Sequence, residues 1–354
     1  MSPFVAGLSY ATAALLVLCA YSQYVSPASV PYASLCGLLF PFALAGTLLI
    51  GAITLLFAPR KAWICGIALL ACSPAIRAYC PVNFPSVAPK NALHVLSFNL
   101  HGWDSWWKHY ALDDYVSPSA LFIKKTDADI VCLQEANVAK KFLDKHVNPH
   151  LKAYRYRSTT HMDRSALTLY SKYPILREEE ICQRVGNGAM AYWIKLSEGD
   201  TLLVVNCHLL SYGFSDAEKD NISASVQHPK AAGKRKEVVR MLKKVVKVSK
   251  YRAEMTDSIS AFLSRHASES KIVCGDFNDT PVSYAHNRIG RGLKDAFVRT
   301  GNGIGRSYNE NSLVIRIDHM FCSPDWRPYD CTVRQDVKSS DHYPIEAYFK
   351  RTDR

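Results

Sequence analysis

The sequence predicts an α/β domain preceded by an N-terminal region of apolar helices, and two observations lead to this prediction. No charged side chain precedes Arg60 in this chain of 354 residues. After residue 90, short runs rich in Val, Ile, Leu and Phe recur, and such runs are typical of buried strands. The roughly 260 residues that follow suit one large α/β domain better than two.

Three apolar stretches lie within residues 1–80, at about residues 4–21, 35–57 and 62–79. Each approaches or exceeds the roughly 20 residues that a helix needs to cross a bilayer. A signal peptide would begin with basic residues and contain one short apolar core, which this segment does not. We therefore predict three transmembrane helices in residues 1–80. The alternative is a buried helical subdomain that is apolar on all sides.

The charges around these stretches predict an orientation and a boundary. Arg60 and Lys61 form the only basic pair between spans, and basic loops tend to stay in the cytoplasm. This places the N-terminus inside and the α/β domain on the extracytoplasmic side, although Arg77 weakly opposes it. The segment CPVNFPSVAP is Pro-rich and uncharged, so we predict a linker at residues 81–90 and the domain at residues 91–350.

Polar clusters stand at the ends of six predicted strands. Carboxylate, amide and imidazole side chains at strand ends can converge on one edge of a sheet, where a metal ion and a phosphate could bind. Taken singly, each cluster could be turn chemistry, a carboxylate at a helix start or a core histidine. Six in one chain indicate an active site. They are Asn99 in LSFNLHG, Gln134 and Glu135 in IVCLQEA, Asn206 to His208 in LLVVNCHLL, Asp276 to Asn278 in IVCGDFNDTP, Asp318 in RIDHMF, and Asp341 with His342 in SSDHYPI.

The residue types in these clusters favour one chemistry. Carboxylate and amide oxygens suit a hard cation such as Mg²⁺ or Mn²⁺. The sequence has no CxxC or HExxH motif for zinc, no Gly-rich nucleotide-binding loop and no GxSxG motif. What remains is hydrolysis by an activated water, with a metal to polarise phosphoryl oxygens and histidines to move protons.

In their order along the chain, SFN, QE, NCHL, GDFND, RID and SDHYP resemble the motifs of the endonuclease/exonuclease/phosphatase superfamily, which includes DNase I and the neutral sphingomyelinases. The resemblance covers roughly residues 91–350. It implies a four-layer α/β sandwich of the DNase I type, with two mixed sheets face to face, helices outside and the site at one rim. GDFNDTPVSYAH, SKYPI and RIDHMFCSP resemble the bacterial branch of the family. Together with the three predicted spans in residues 1–80, this branch implies a multi-pass protein of a bacterial inner membrane.

The resemblance also implies roles for the residues of the clusters. Glu135 would be the principal metal ligand, helped by Asn99 and Asp341, while Asp276 and Asn278 would orient the attacking water and the phosphate. His342 would contact the phosphate or shuttle a proton, with Asp318 fixing its tautomer, and His208 would be the second histidine. Relatives that resemble abasic-site endonucleases carry Tyr in place of His208, so abasic-site repair is disfavoured. His319 stands where Tyr is commoner, and no carboxylate partner for His208 is evident in the sequence.

These implications amount to a membrane-anchored, Mg²⁺- or Mn²⁺-dependent phosphodiesterase with two competing substrate classes. A nuclease acting on nucleic acid is slightly favoured, because residues 233–252 contain nine basic residues and one acidic residue. The alternative is a phosphodiesterase or phosphatase for a lipid headgroup or an inositol phosphate. An interpretation of another kind is a catalytically silent, membrane-tethered binding domain.

Three further features remain open in the sequence. The basic segment 233–252 repeats Val238, Leu242 and Val245 at helical spacing, so it predicts an amphipathic helix. Such a helix could bind a nucleic-acid backbone, lie on anionic headgroups, or be a solvated cover of one sheet. Residues 211–233 are predicted to form a long loop beside the site. Cys322 and Cys331 flank the loop SPDWRPYD and are candidates for a disulfide if the domain is exported.

Overall fold

Two six-stranded mixed sheets pack face to face in the computed structural model, which describes residues 2–105, 108, 114–163, 165–196, 199–213, 234–310 and 314–352. The first sheet has the strand order β11-β12-β1-β2-β4-β3, and the second has β5-β6-β7-β8-β10-β9. The strands are β1 Leu93–Asn99, β2 Ile130–Gln134, β3 Tyr156–Met162, β4 Ser165–Ser171, β5 Ile175–Arg184, β6 Asn187–Lys195, β7 Thr201–His208, β8 Lys271–Asp276, β9 Lys294–Asp295, β10 Asp318–Cys322, β11 Trp326–Val333 and β12 Ile345–Arg351.

Helices cover the outer faces of both sheets, and others form the N-terminal region. The helices are α1 Ser2–Tyr21, α2 Ala33–Phe57, α3 Trp63–Ala71, α4 Ser73–Tyr79, α5 Pro118–Thr126, α6 Lys234–Arg265, α7 Tyr284–Ile289 and α8 Ala296–Thr300. Single helical turns occur at Ser22–Tyr24, Pro59–Lys61, Lys140–Phe142, Leu143–Val147 and Asn148–His150, and His101–Ser105 is a tight turn with positive φ angles.

The packing of apolar side chains explains the four layers. Both faces of the central strands β1, β2, β7 and β8 are buried, which is why β2, β7 and β8 are nearly continuous apolar runs rather than alternating ones. Val95 of one sheet and Ile272 of the other belong to the core between the sheets. Ile123 of α5 packs on the outer face of the first sheet, and Ile259 of α6 packs on that of the second. The predicted DNase I-like sandwich is confirmed.

The N-terminal region contains two helices that are long and apolar enough to cross a membrane, Phe4–Tyr24 and Ala33–Phe57. They run antiparallel, since the hydroxyl groups of Ser9 and Thr54 are 2.8 Å apart near the two distal ends. The third predicted span differs from a straight helix, because Pro59–Ala71 and Ser73–Tyr79 are bent by 60° against each other. Pro74 lies in the first turn of α4, where a proline lacks the N–H that would continue the preceding helix.

The apolar helices are packed onto the α/β domain at the end of α1 and the start of α2. Val282 of the domain is fully buried in a cluster with Leu16 and Phe40. A Cβ atom on Gly37 would lie 2.6 Å from the Val282 carbonyl oxygen, so only glycine allows this approach of α2. The Arg316 guanidinium also donates to the Ala78 carbonyl over 2.6 Å. The turn Pro59–Lys61 therefore lies at the end of α2 that points away from the domain.

Three predictions about residues outside the site need correction or remain open. The basic helix is longer than predicted and does not bury its whole apolar face, because Val238 and Leu242 are exposed while Met241 and Val245 are buried. The predicted loop at residues 211–233 falls largely on residues 214–233, which lie outside the described residues. Cys322 and Cys331 are both buried free thiols in the structure, so the candidate disulfide is not formed there.

Gly275, one residue before Asp276, has a backbone angle φ of 139° and lies against β7. A Cβ atom at this position would be 1.9 Å from the Cys207 carbonyl oxygen. We expect Gly275→Ala to lower the free energy of unfolding by about 3 kcal/mol or more, because neither backbone can move within the sheet. Gly292→Ala is the matched control: its φ is 78° but nothing lies within 4 Å, so only backbone strain of about 1 kcal/mol is expected. Chemical denaturation checks both, and equal losses would contradict the steric argument.

Candidate active site

The strand register brings the predicted polar clusters to one edge of the sandwich. Asn99 and Gln134 are neighbours at the ends of the parallel strands β1 and β2. His208 and Asp276 are neighbours at the ends of β7 and β8, and Asp318 begins β10 opposite Asp276. Because the strands of both sheets end on the same edge, the side chains of the two sheets meet across the core.

Asn99 connects the two sheets at the centre of this edge. Its side-chain amide nitrogen donates to Asp276 Oδ2 over 3.0 Å and to Glu135 Oε1 over 3.2 Å. Its amide oxygen accepts from the backbone N–H of His101 over 3.1 Å. Glu135 itself has a positive φ of 50°, and its side chain remains about a third exposed. The Glu135 carboxylate is therefore oriented by Asn99 and open to a ligand.

Asp276 is buried and surrounded by donors. Its Oδ1 accepts from the Asn278 backbone N–H over 2.7 Å, and its Oδ2 accepts from the Asn278 side chain over 3.1 Å. Burial raises the pKa of the Asp276 carboxyl to about 6; the Asp318 charge adds to this shift, and His342 and His208 oppose it. A carboxylate with such a pKa is still charged at neutral pH and is a better proton acceptor than an exposed aspartate.

His342 and Asp318 form the predicted dyad geometry. His342 Nδ1 lies 2.9 Å from Asp318 Oδ2, and His342 Nε2 lies 3.6 Å from Asp276 Oδ2. Burial by itself would lower the pKa of the imidazole, but the charges of Asp318 and Asp276 outweigh it and hold that pKa well above its usual value. The imidazolium form of His342 is thus favoured between two carboxylates.

His208 has an amide rather than a carboxylate as its direct partner. The Asn187 side-chain nitrogen lies 3.1 Å from His208 Nε2, and it also donates to the Leu209 carbonyl over 3.1 Å. Glu135 Oε1 and Asp276 Oδ2 are farther from the same ring nitrogen, at 3.5 and 3.9 Å. Sequence reasoning missed Asn187, since it stands at the start of β6 within a hairpin and belongs to no motif.

Asp341 and His101 complete the exposed side of the site. His101 Nδ1 lies 3.5 Å from Asp341 Oδ2 and 3.7 Å from Glu135 Oε2, so both carboxylates flank one position. The Ser340 hydroxyl donates to the Asn99 carbonyl over 2.8 Å, which ties the Asp341 segment to β1. His101 was not predicted, although it follows the first motif by two residues.

The other polar members of the clusters are structural. Gln134 and Asn206 are fully buried, and the Gln134 amide donates to Asn206 Oδ1 over 2.6 Å across the two sheets. Asn206 in turn donates to the Leu133 carbonyl over 3.0 Å. These bonds fix the distance between the sheets just beneath the site.

A buried arginine joins the site to helix α6. The Arg252 side chain is 1% exposed; its Nη1 lies 3.1 Å from Asp279 Oδ2, and its Nε donates to the Leu210 carbonyl over 2.9 Å. Asp279 follows Asn278, and Leu210 lies two residues after His208. Arg252 therefore holds the segments that leave β7 and β8 in one arrangement. In the sequence Arg252 is one of nine basic residues in the segment 233–252, and no sequence feature distinguishes this buried arginine from the other eight.

The donor set fits a hard divalent cation. Among the described residues, no lysine or arginine forms an ion pair with Glu135, Asp276, Asp318 or Asp341, and their only cationic neighbours are histidines. Oxygen ligands with an excess of negative charge suit Mg²⁺ or Mn²⁺. Asp276, Asp318 and His342 also bring their ligand atoms within 4.8 Å of one another, although the Asp318–His342 bond already occupies two of these groups.

Comparisons with known proteins agree with this geometry. The model of the Endonuclease/Exonuclease/phosphatase family matches residues 120–342, well over half of the chain. A domain of unknown function, DUF8431, matches residues 2–79, which is the region of apolar helices. No curated protein matches the chain in sequence.

Solved structures of low sequence identity are similar to this chain. The human Nocturnin catalytic domain is 13% identical, with a TM-score of 0.51, over 75% of this chain and 97% of that one. ANGEL2, described as a 2',3'-cyclic phosphatase, is 15% identical, with a TM-score of 0.50, over 76% and 98%. Sphingomyelinase C from Streptomyces griseocarneus is 19% identical, with a TM-score of 0.48, over 73% and 99%. With its fold and its matched residues together, this chain belongs to the endonuclease/exonuclease/phosphatase family of phosphoesterases.

Proposed function

We propose that this protein is a membrane-anchored, divalent-metal-dependent phosphodiesterase. The observation that supports it is the meeting of four carboxylates and two buried histidines at one edge of the sandwich, without a lysine or arginine partner among the described residues. The four carboxylates outnumber the two histidines, and a site with such an excess of negative charge is costly for folding, so we infer that it is kept for function.

Glu135 and Asp341, with Asn99, would hold the cation, Mg²⁺ or Mn²⁺. When bound, the cation would polarise the phosphoryl oxygens and neutralise the charge that develops on them. The Asn99 side-chain nitrogen donates to Glu135 and Asp276 in the structure. Asn99 would therefore orient the Glu135 carboxylate, and its side-chain oxygen, which accepts from the His101 N–H, would be its ligand atom for the cation.

The remaining side chains would carry out the proton transfers. Asp276 would accept the proton of the attacking water, and Asn278 would keep that carboxylate in place. His342, held as an imidazolium by Asp318, would donate to a phosphate oxygen. His208, oriented by Asn187, would contact a second phosphate oxygen.

We propose a lipid-linked phosphodiester as the first substrate class, because the site lies close to the apolar helices. Val282 is four residues after Asn278, which limits the separation to about 14 Å along the chain, and it is buried among α1 and α2. Asp279 also borders a small cavity with Ser22 and Gly37. A nuclease is the second candidate, and the lysine-rich first half of α6 supports it.

The proposal is tested by a substrate panel on the purified full-length protein in detergent and in lipid nanodiscs. The panel contains sphingomyelin, glycerophospholipids, inositol phosphates, RNA and plasmid DNA. We expect hydrolysis of at least one diester that is abolished by EDTA and restored by Mg²⁺ or Mn²⁺. Hydrolysis that survives chelation would refute metal dependence. No hydrolysis of any member, with the protein folded, would favour the silent binding domain.

We also propose that the catalytic domain is extracytoplasmic, in a bacterial inner membrane. The turn with Arg60 and Lys61 lies at the end of the helices that points away from the domain, and basic turns are retained in the cytoplasm. We expect alkaline phosphatase fused after Lys90 to be active and green fluorescent protein fused there to be dark. The opposite pair of results would place the domain in the cytoplasm and leave the enzymatic proposal standing.

A further inference from the structure

Helix α6 extends away from the sheet that its second half covers. Ile259 and Phe262 are buried in the core on the second sheet, whereas Val239 and Leu242 near the other end are exposed large apolar residues. Helix α6 packs against α2, one of the two helices that are apolar and long enough to cross a membrane. The exposed part of α6 therefore belongs to a helix that contacts a candidate membrane span.

The exposed surface of this first half has two stripes. Val239 and Leu242 are exposed and Val246 is half-buried; they are spaced by three and four residues, so they share one face of the helix, which we call the apolar stripe. Lys243, Lys247 and Lys250 are exposed, have the same spacing and lie on the adjoining face, which we call the lysine stripe. Met241 and Val245 are buried, and they lie on the side of the apolar stripe that faces away from the lysine stripe.

The linker that follows α4 has the same character. Val82, Phe84 and Val87 are 79%, 94% and 92% exposed, although the neighbouring Asn83 is hydrogen-bonded to the domain. Two separate segments next to the apolar helices thus expose large apolar side chains. Leaving a side chain of this kind in water, rather than burying it, costs roughly 1.5–3 kcal/mol of hydrophobic free energy.

We propose that the first half of α6 lies in the interface of the bilayer, with the apolar stripe in the acyl boundary and the lysine stripe on anionic headgroups. An interfacial helix has this arrangement, in which lysines border the apolar face that is immersed. A nucleic acid would pair with the lysines but would leave the apolar stripe in water. The inference rests on the membrane anchoring proposed above and is independent of the substrate.

Hydrogen–deuterium exchange of the full-length protein in nanodiscs tests the proposal. We expect the amides of residues 238–250 to exchange at least about fivefold more slowly with phosphatidylglycerol present than in phosphatidylcholine alone, since one lysine near an anionic surface contributes about this factor. Lys243→Gln, Lys247→Gln and Lys250→Gln together should remove the difference. The same charge loss at Lys124 and Lys125, exposed on α5, and at Lys152, exposed in the turn before β3, should leave it unchanged.

A second variant tests the apolar stripe without changing charge. Leu242→Ser with Val246→Ser should speed exchange of the same amides in both lipid compositions. Equal exchange with and without the anionic lipid would overturn the proposal, as would protection produced by added polynucleotide in phosphatidylcholine discs. Failure of the chain to incorporate into nanodiscs would instead refute the anchoring itself, so the two failures are distinguishable.

Discussion

Glu135→Gln is expected to lower turnover by at least about a hundredfold while leaving the fold intact. The substitution keeps the size of the side chain and removes the charge that is oriented by Asn99 toward the open side of the site. Losing one strong electrostatic contributor of a polar active site typically has an effect of this size. Stability should change little or increase, because the like charges of Asp276 and Asp341 lie near.

The measurement combines kinetics with metal binding. Turnover of the diester identified in the panel is measured as Mg²⁺ is varied, and Mn²⁺ binding is followed by electron paramagnetic resonance. Glu180→Gln is the matched control, because it makes the same chemical change on the exposed strand β5. A Glu135→Gln protein that turns over normally in limiting Mg²⁺ would show that this carboxylate does not hold the metal.

His342→Ala is expected to lower kcat by about a hundredfold or more with little change in KM, since its imidazolium is proposed to act on the transition state. Asp318→Asn should have a smaller effect in the same direction, because it removes the negative charge of the carboxylate 2.9 Å from Nδ1. The two defects should not add, as expected for residues that act as a unit.

The pH dependence separates this dyad from a purely structural contact. Asp318 and Asp276 raise the pKa of His342, so the active imidazolium is lost only as the pH rises through that raised value. Asp318→Asn lowers the pKa, and the alkaline limb of the pH–rate profile should move to lower pH. His161→Ala, on the exposed face of β3, serves as the control. An unmoved alkaline limb in Asp318→Asn would contradict the dyad.

The central strands and the polar clusters that end them could be predicted because these strands are buried on both faces, whereas the order of the strands in the sheets was not predicted. Such strands are continuous apolar runs, and the polar residues that end them are conspicuous against that background. The motif residues at these strand ends meet in the structure because the strands end on one edge of the sandwich; they are Asn99, Glu135, His208, Asp276 and Asp318. Their individual roles remain proposals.

Other members of the site could not be predicted, since their position depends on pairing across the chain. Asn187 reaches His208 only because β6 pairs with β7 in a register that puts Gly188 opposite His208. Arg252 reaches Asp279 because α6 lies on the second sheet. The bend in the third apolar stretch lies at Pro74, which is visible in the sequence. A prediction based only on the length of the apolar stretch does not take this proline into account.

The packing of Val282 against the first two helices determines whether the domain can be produced without them and how relatives without these helices must differ. Cutting the chain at residue 90 would turn a fully buried valine and its surroundings into a water-facing apolar surface. Such a fragment would tend to self-associate. The region of apolar helices is therefore not an exchangeable addition to the domain, and relatives that lost it should carry polar substitutions at the positions of Val282 and Ile304.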